Sequence, residues 1–145
     1  MDKIKKIVVS IQFSEKEIEE VLVLLDKASG FVGVRNKLMV ELFYSTGMRR
    51  AELVQLQLTD VALNQGVLKV LGKRNKERLI PLIPSVIQTI KKYLEERRSL
   101  NRIVDDEFLF LSERGVKIYE TLVYRVINSY FSIASEKVKK SPHML

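Results

Sequence analysis

The residues of this chain best suited to chemistry are arginine, lysine and histidine side chains in three short segments. The first segment, STGMRRAELVQL, places Arg49 and Glu52 three positions apart. The second, GKRNKERLIPL, has four cations within six residues, and the third, SPHML, holds the single histidine, His143. Arginine and lysine donate hydrogen bonds to phosphate oxygens, and arginine can donate two in parallel. Together these residue types suit contact with the phosphates of a nucleic acid.

Each segment also has a purely structural interpretation. Arg49 and Glu52 fit an ion pair on a helix surface, and Gly47 fits a turn between two helices. Cations around a hairpin turn keep an exposed sheet edge from pairing with another chain. Ser141 and Pro142 could open a helix as its N-cap and first residue, and a lone histidine near a terminus is usually inert. No single segment, taken by itself, distinguishes a structural role from a catalytic or phosphate-binding one.

Composition limits the class of protein. With 145 residues, 46% of them apolar and 30% charged, the chain fits one globular domain with a core. Lysine and arginine outnumber aspartate and glutamate by 25 to 18, and the net charge of +7 favours an anionic partner such as nucleic acid. The absence of cysteine excludes disulfides, thiolate zinc sites and cysteine nucleophiles from this chain. The apolar run Ile7 to Ile11 is too short for a membrane span or signal peptide core, which predicts a cytoplasmic protein without a membrane partner.

Helical periodicity covers most of the chain. Ser14 followed by Glu17 is a capping box that predicts a helix start. Gly30 and Gly33 then punctuate the chain before the second helix. The last helix is expected to bury one face, made of Leu122, Val126, Ile127, Tyr130, Ile133 and Ala134. The predicted helices cover residues 14–28, 34–44, the segment RRAELVQL, a segment that opens at Pro84 and Ser85, and residues 119–138.

The middle of the chain has the pattern of a small sheet. VALNQGVLKVLG and ERLIPL are rich in β-branched and apolar residues, with tight turns predicted at 64–66 and 73–76. Residues 108–111 could be a last strand or a buried turn. The predicted fold class is therefore α+β, a mainly helical domain with an antiparallel sheet of two to three strands at one side.

In order, the three segments resemble the motifs of the tyrosine recombinase, or phage integrase, family, especially its Xer-like bacterial members. The resemblance covers most of the chain. The family pattern T-G-x-R-x-x-E-L is matched by Thr46, Gly47, Arg49, Glu52 and Leu53. The hairpin pattern G-K-x-N-K-E-R-x-[IV]-P is matched by Gly72, Lys73, Asn75, Lys76, Glu77, Arg78, Ile80 and Pro81. The first five positions of the pattern S-P-H-x-L-R-H are matched by Ser141, Pro142, His143, Met144 and Leu145.

The resemblance implies that Arg49, Lys73 and His143 are catalytic residues. In the family a tyrosine attacks a DNA phosphodiester and forms a 3′-phosphotyrosine link, and the reaction needs no metal and no cofactor. Arg49 would stabilise the charge on the non-bridging phosphate oxygens. Lys73 would protonate the leaving 5′-oxygen, and His143 would donate to a phosphate oxygen.

The same resemblance implies supporting roles for four more residues. Glu52 would accept a hydrogen bond from the Arg49 side chain and fix its rotamer. Arg74, Lys76 and Arg78 would contact the DNA backbone. Double-stranded DNA is the expected partner, together with other recombinase protomers, because the family usually assembles four protomers on two duplexes.

The resemblance stops at Leu145, immediately before the family's second arginine. The family's nucleophilic tyrosine also belongs beyond that point, and all five tyrosines here precede His143, so this chain has no residue at the nucleophile position. Residues 1–13 are too few for the family's separate N-terminal helical domain. We therefore expect residues 1–145 to be a partial catalytic domain that does not cleave DNA by itself and binds it weakly, with strong salt dependence.

Three alternatives remain at this point. A natural truncated relative that binds DNA or a recombinase partner without catalysis would also lack the second arginine. Type IB topoisomerases use a similar set of side chains, although GKRNKERLIP and SPHML fit the recombinase patterns more closely. A basic helical protein with no nucleic-acid role would require three ordered matches to be coincidence.

Overall fold

The structure of the chain is a computed structural model that describes residues 14–139. Within this range the chain forms five α-helices and one small antiparallel sheet, which confirms the predicted α+β class. None of the helices in this range is both long and apolar enough to cross a membrane. The elements in chain order are α1 (Glu15–Asp26), α2 (Gly30–Thr46), α3 (Arg50–Gln55), β1 (Val61–Ala62), β2 (Val67–Leu71), β3 (Glu77–Pro81), α4 (Pro84–Arg98) and α5 (Glu120–Lys139).

The ends of the first helices follow from local side-chain chemistry. The Ser14 hydroxyl accepts a hydrogen bond from the Glu17 N–H at 3.1 Å, and the Glu17 carboxylate accepts one from the Ser14 N–H at 3.3 Å, so the predicted capping box is confirmed. Helix α2 begins at Gly30, earlier than the predicted residue 34. The prediction was wrong because a first-turn glycine such as Gly33 can pack against Ala28 without breaking the helix.

The sheet has the strand order β1-β2-β3, and both pairings are antiparallel. Leu68 pairs with Ile80 and Val70 with Arg78, which fixes the register of the β2–β3 hairpin. Leu68 and Val70 are buried, whereas Leu71 and Leu79 are 56% and 67% exposed. One face of the hairpin therefore meets the core and the other meets solvent.

The core lies between the helices and the inner face of the sheet. Helix α2 packs against α4, and α1 packs against α5. On α5 the predicted apolar face is wrong at Ile133, which is 45% exposed, while Val123 and Phe131 are buried. The buried set follows a helical repeat of three or four positions, and residue 133 falls outside that stripe.

Two side chains of α4 fix the segment 106–111, in which residues 109–111 are buried and only isolated bridges form, so that the predicted choice between strand and buried turn at 108–111 falls against a strand. The Tyr93 hydroxyl donates to the Leu109 carbonyl at 2.8 Å and accepts from the Leu111 N–H at 3.2 Å. Burial raises the pKa of Tyr93 to about 12.

The Arg97 guanidinium of α4 donates to the carbonyls of Asp106, Phe108 and Leu109 at 2.8, 2.7 and 3.3 Å. These bonds replace the ladder that a strand would have supplied.

Glu41 is a buried carboxylate on α2, only 3% exposed. Burial raises the pKa of Glu41, and a hydrogen bond with Thr89 and the positive charge of Lys37 offset this effect only in part. Its Oε1 atom has no hydrogen-bond partner in the part of the chain that the structure describes. Burial of this kind disfavours the charged form, so Glu41 keeps its proton to a higher pH than an exposed glutamate does.

We expect Glu41→Gln to change how stability depends on pH. The folded chain keeps the Glu41 proton at pH values where the unfolded chain has lost it, so the free energy of unfolding falls as pH rises from the ordinary glutamate pKa to the raised pKa of Glu41. Glutamine cannot lose a proton, so the stability of the variant relative to the unaltered chain should rise over that window. Urea unfolding at pH values from about 4 to 8 measures the difference.

The matched control is Glu95→Gln, which changes an exposed carboxylate on α4. The rise in relative stability with pH should be larger for Glu41→Gln than for this control, because Glu41 is buried and Glu95 is exposed. Parallel pH profiles for Glu41→Gln and the unaltered chain would show that Glu41 titrates as an ordinary carboxylate.

Candidate functional site

Arg49 is placed by the turn between α2 and α3. Gly47 ends α2 with a left-handed φ of 69°, and its N–H donates to the Phe43 carbonyl at 3.2 Å. The Met48 side chain is buried, and Arg49 then occupies the N-cap position of α3 in an extended conformation. Its side chain is exposed and, within residues 14–139, its guanidinium makes no hydrogen bond or ion pair. The turn therefore presents a free guanidinium at the surface.

Glu52 contacts Arg49 in a different way from the one expected. The carboxylate accepts a hydrogen bond from the Arg49 backbone N–H at 2.8 Å, and the expected bond from the Arg49 guanidinium is not formed among the described residues. Glu52 lies three positions after the N-cap residue Arg49, so its carboxylate faces the Arg49 N–H, and both of its oxygens also accept hydrogen bonds from Arg78. Glu52 therefore fixes the backbone at Arg49, and its effect on the Arg49 rotamer stays untested.

The guanidinium held by Glu52 belongs to Arg78 on β3. Nη1 and Nη2 of Arg78 donate to Oε2 and Oε1 of Glu52 at 2.7 and 3.1 Å, which is a bidentate pair. The hydrogen bond from Arg78 is the main reason that the pKa of Glu52 is lowered, and the Arg49 N–H adds to it. The pair joins α3 to the β2–β3 hairpin across 26 residues of sequence.

The hairpin turn carries the other cations. The Lys76 N–H donates to the Lys73 carbonyl at 3.2 Å, and the two central residues, Arg74 and Asn75, have φ of 59° and 58°. Two successive left-handed residues define a type I′ turn, the type whose twist matches a hairpin. The side chains of Lys73, Arg74 and Lys76 are exposed and have no ion-pair partner among the described residues. The turn therefore extends three unpaired positive charges from the sheet.

Gly72 lies where the hairpin meets α3. A Cβ atom at this position would stand 2.9 Å from Nη1 of Arg78 and 3.3 Å from Oε2 of Glu52. The Gly72 N–H also donates to the Lys76 carbonyl at 2.9 Å. One set of contacts thus runs from the Arg49 backbone through Glu52 and Arg78 to the residue before Lys73.

The structure therefore brings together the N-terminus of α3 and the hairpin turn, two of the three segments that the sequence singled out. The third holds His143, which lies outside the described residues. No group of three or more metal-ligating side chains within residues 14–139 could hold a metal ion. A surface cleft of about 460 Å³ beside the site is lined in part by Arg49, Arg50 and Glu120.

Sequence reasoning missed the pairing of Glu52 with Arg78 and the close approach at Gly72. The two partners lie on separate elements, and no local spacing connects them. The only signal was the glycine directly before Lys73, which reads equally well as a turn residue.

Comparison with known proteins agrees with the geometry. The model of the phage integrase family matches residues 12–145. The tyrosine recombinase XerC of Chlorobaculum parvum is 37% identical over 120 residues, which cover 79% of this chain and 36% of that protein. The tyrosine recombinase XerD of Proteus mirabilis is 38% identical over 136 residues, 91% of this chain and 42% of that protein. The chain thus spans less than half the length of these relatives.

Solved structures give the same fold. XerA recombinase superposes with a TM-score of 0.71 at 24% identity, covering 84% of this chain and 42% of that one. The XerH site-specific recombinase bound to difH substrate, in a pre-cleavage complex, gives 0.71 at 28% identity and covers 85% of this chain and 36% of that one. The helical domain with its three-stranded sheet is thus the fold of recombinases. Because the family model covers nearly the whole sequence, the chain belongs to the phage integrase family, the tyrosine recombinases.

Proposed function

We propose that this chain is the part of a tyrosine recombinase catalytic domain that holds the DNA phosphate at the cleavage position. Arg49 and Lys73 would contact that phosphate, and Arg74 and Lys76 would contact neighbouring phosphates. The observation that carries the proposal is the junction between α3 and the hairpin, which presents four exposed cations without protein partners among the described residues. Unpaired cations on one surface attract a polyanion, because no carboxylate has to be displaced.

Each catalytic side chain then has one task in strand exchange. The Arg49 guanidinium would donate to the non-bridging oxygens, where negative charge grows in the transition state. Lys73, at the start of the exposed turn, would give a proton to the leaving 5′-oxygen. His143, in the third motif, would donate to a phosphate oxygen. Glu52 would fix the backbone at Arg49, because its carboxylate accepts a hydrogen bond from the Arg49 N–H at 2.8 Å.

The partners follow from the same chemistry. The substrate would be double-stranded DNA, and the related XerH structures hold a difH substrate. Other recombinase protomers would complete the assembly, and the place of action would be the cytoplasm. Residues 14–139 already support the DNA contact in this scheme, because Arg49 and the hairpin lie within them.

The chain by itself should bind DNA without cutting it. Tyr44 and Tyr93 are buried, so neither hydroxyl can reach a phosphodiester in the folded chain. Tyr119 and Tyr124 are exposed and Tyr130 is partly buried, but all three precede the His143 motif, whereas the family's nucleophile follows it. None of the five tyrosines therefore lies at the position of the family's nucleophile.

Two measurements test this function. With four phosphate contacts, the dissociation constant for a duplex should rise on the order of 100-fold between about 50 and 200 mM salt, as fluorescence anisotropy would show. Incubation with a nicked suicide substrate should give no covalent adduct on a denaturing gel. Affinity that does not change with salt would exclude phosphate contact, and an adduct would exclude the non-cleaving role. A third result would favour a relative that binds DNA without catalysis. In that case the chain binds every duplex with salt dependence, and a chain that carries the whole S-P-H-x-L-R-H motif and the family's tyrosine still gives no recombination.

A further inference from the structure

We propose that Arg78 is a positioning residue of this site rather than a DNA contact. Its pair with Glu52 holds the hairpin that carries Lys73 against the turn that carries Arg49, and Gly72 leaves the space for that pair. This inference rests on the proposed function of the same site. It separates Arg78 from Arg74 and Lys76, with which it shares the basic segment KRNKER.

The strand register puts Arg78 on the inner side of the hairpin. Directly paired residues of antiparallel strands have side chains on the same face, and Arg78 pairs with Val70, which is buried. Ile80, two residues on, lies on that face as well and packs against the core. The side chains of Glu77 and Leu79 point to the opposite, exposed face. The Arg78 side chain lies on the inner face, is 44% exposed and reaches Glu52 on α3.

The guanidinium of Arg78 is already engaged. Both of its terminal nitrogens donate to Glu52, at 2.7 and 3.1 Å. The side chain of Glu52 is only 11% exposed, so the carboxylate has little water to replace the bonds it would lose. Moving Arg78 to a phosphate would leave a nearly buried negative charge beside the DNA. Lys73, Arg74 and Lys76 have no such partner in the described part of the chain, and each is free to meet a phosphate.

The Arg78–Glu52 pair also links the segments that carry the two candidate catalytic residues, Arg49 and Lys73. Glu52 accepts from the Arg49 N–H at 2.8 Å, and the pair packs directly against Gly72, next to Lys73. A side chain at position 72 would press on Nη1 of Arg78 at 2.9 Å. With the pair broken, only strand pairing and the turn bonds would hold Lys73, and its distance to Arg49 would vary.

Amide hydrogen exchange tests the pair without DNA. The N–H groups of Gly72 and Lys76 both donate within the turn, so their protection reports the order of the hairpin. Arg78→Gln and Glu52→Gln should each speed their exchange roughly tenfold, and the double variant should do no more than either single one. Lys76→Gln, a neutralisation in the same hairpin, should leave the exchange of the Gly72 N–H unchanged. Arg78→Lys keeps the positive charge but loses the two terminal guanidinium nitrogens that donate to Glu52, so it should restore part of the protection.

Salt-dependent DNA binding separates positioning from phosphate contact. Removal of a phosphate contact lowers the slope of log affinity against log salt by about 0.9. We expect Lys76→Gln to show this loss and Arg78→Gln to keep the slope of the unaltered chain. The proposal is overturned if Arg78→Gln lowers the slope as Lys76→Gln does, or if it leaves hairpin exchange unchanged. Absence of salt-dependent binding in the unaltered chain would instead refute the proposed function, and hydrogen exchange would still decide whether the pair orders the hairpin.

Discussion

Replacing Lys73, Arg74 and Lys76 together with glutamine will weaken duplex binding on the order of 100-fold at low salt. The three side chains are exposed around one type I′ turn and have no ion-pair partner among the described residues. Each phosphate contact releases condensed counterions, so the loss of three should reduce the slope of log affinity against log salt by about 2.7. Fluorescence anisotropy at several salt concentrations measures both quantities.

The matched control removes three positive charges from another surface. Lys91, Lys92 and Arg98 are exposed on α4, so their replacement with glutamine lowers the net charge by the same amount. If the hairpin is the contact surface, this control should lose no more than a few-fold in affinity, through the weaker long-range field. Equal losses for the two triple variants would mean that net charge, and not the hairpin, drives binding.

Arg97→Met will lower the free energy of unfolding by about 3 kcal/mol. Arg97 is 4% exposed and donates to the backbone carbonyls of Asp106 and Phe108 at 2.8 and 2.7 Å. Methionine fills much of the space but donates nothing, so both carbonyls lose their bond from the guanidinium. The Leu109 carbonyl keeps its bond from Tyr93, which limits the loss. Urea unfolding followed by circular dichroism gives the number.

Asp106→Asn distinguishes the carbonyl bonds from the ion pair. The Asp106 carboxylate lies 3.6 Å from Arg97, but its side chain is 79% exposed. An exposed ion pair contributes little, so this variant should cost less than about 0.5 kcal/mol. A cost for Arg97→Met below about 1 kcal/mol would show that segment 106–111 does not need the guanidinium.

Local chemistry explains which parts of the fold the sequence could predict. The capping box at Ser14, the helix stop at Gly47 and the turn at 73–76 each depend on residues within a few positions of one another. The segment 106–111 depends on hydrogen bonds from Tyr93 and Arg97 of α4, which no local pattern predicts. Likewise, Ile133 was assigned to the buried face because periodicity alone does not fix where a helix stripe ends.

In the candidate site, too, the features that depend on nearby residues were predictable and the contact between separate elements was not. Its motifs were visible in sequence because they are short and ordered, and the structure brings two of them together at Glu52. The partner of Glu52 was not predictable, since spacing favoured Arg49, three residues away, over Arg78 on a separate strand. Only the folded chain shows that the Glu52 carboxylate accepts hydrogen bonds from the Arg49 backbone N–H and the Arg78 guanidinium.

The most direct measurement is an NMR titration of the ¹⁵N-labelled chain with a short DNA duplex. If the α3–hairpin junction holds the phosphate, the amides of residues 49–52 and 72–78 will shift together and to the largest extent, while those of α4 near Lys91 will not. Shifts centred on α4 or elsewhere, with these two segments unchanged, would contradict a phosphate site at Arg49 and Lys73.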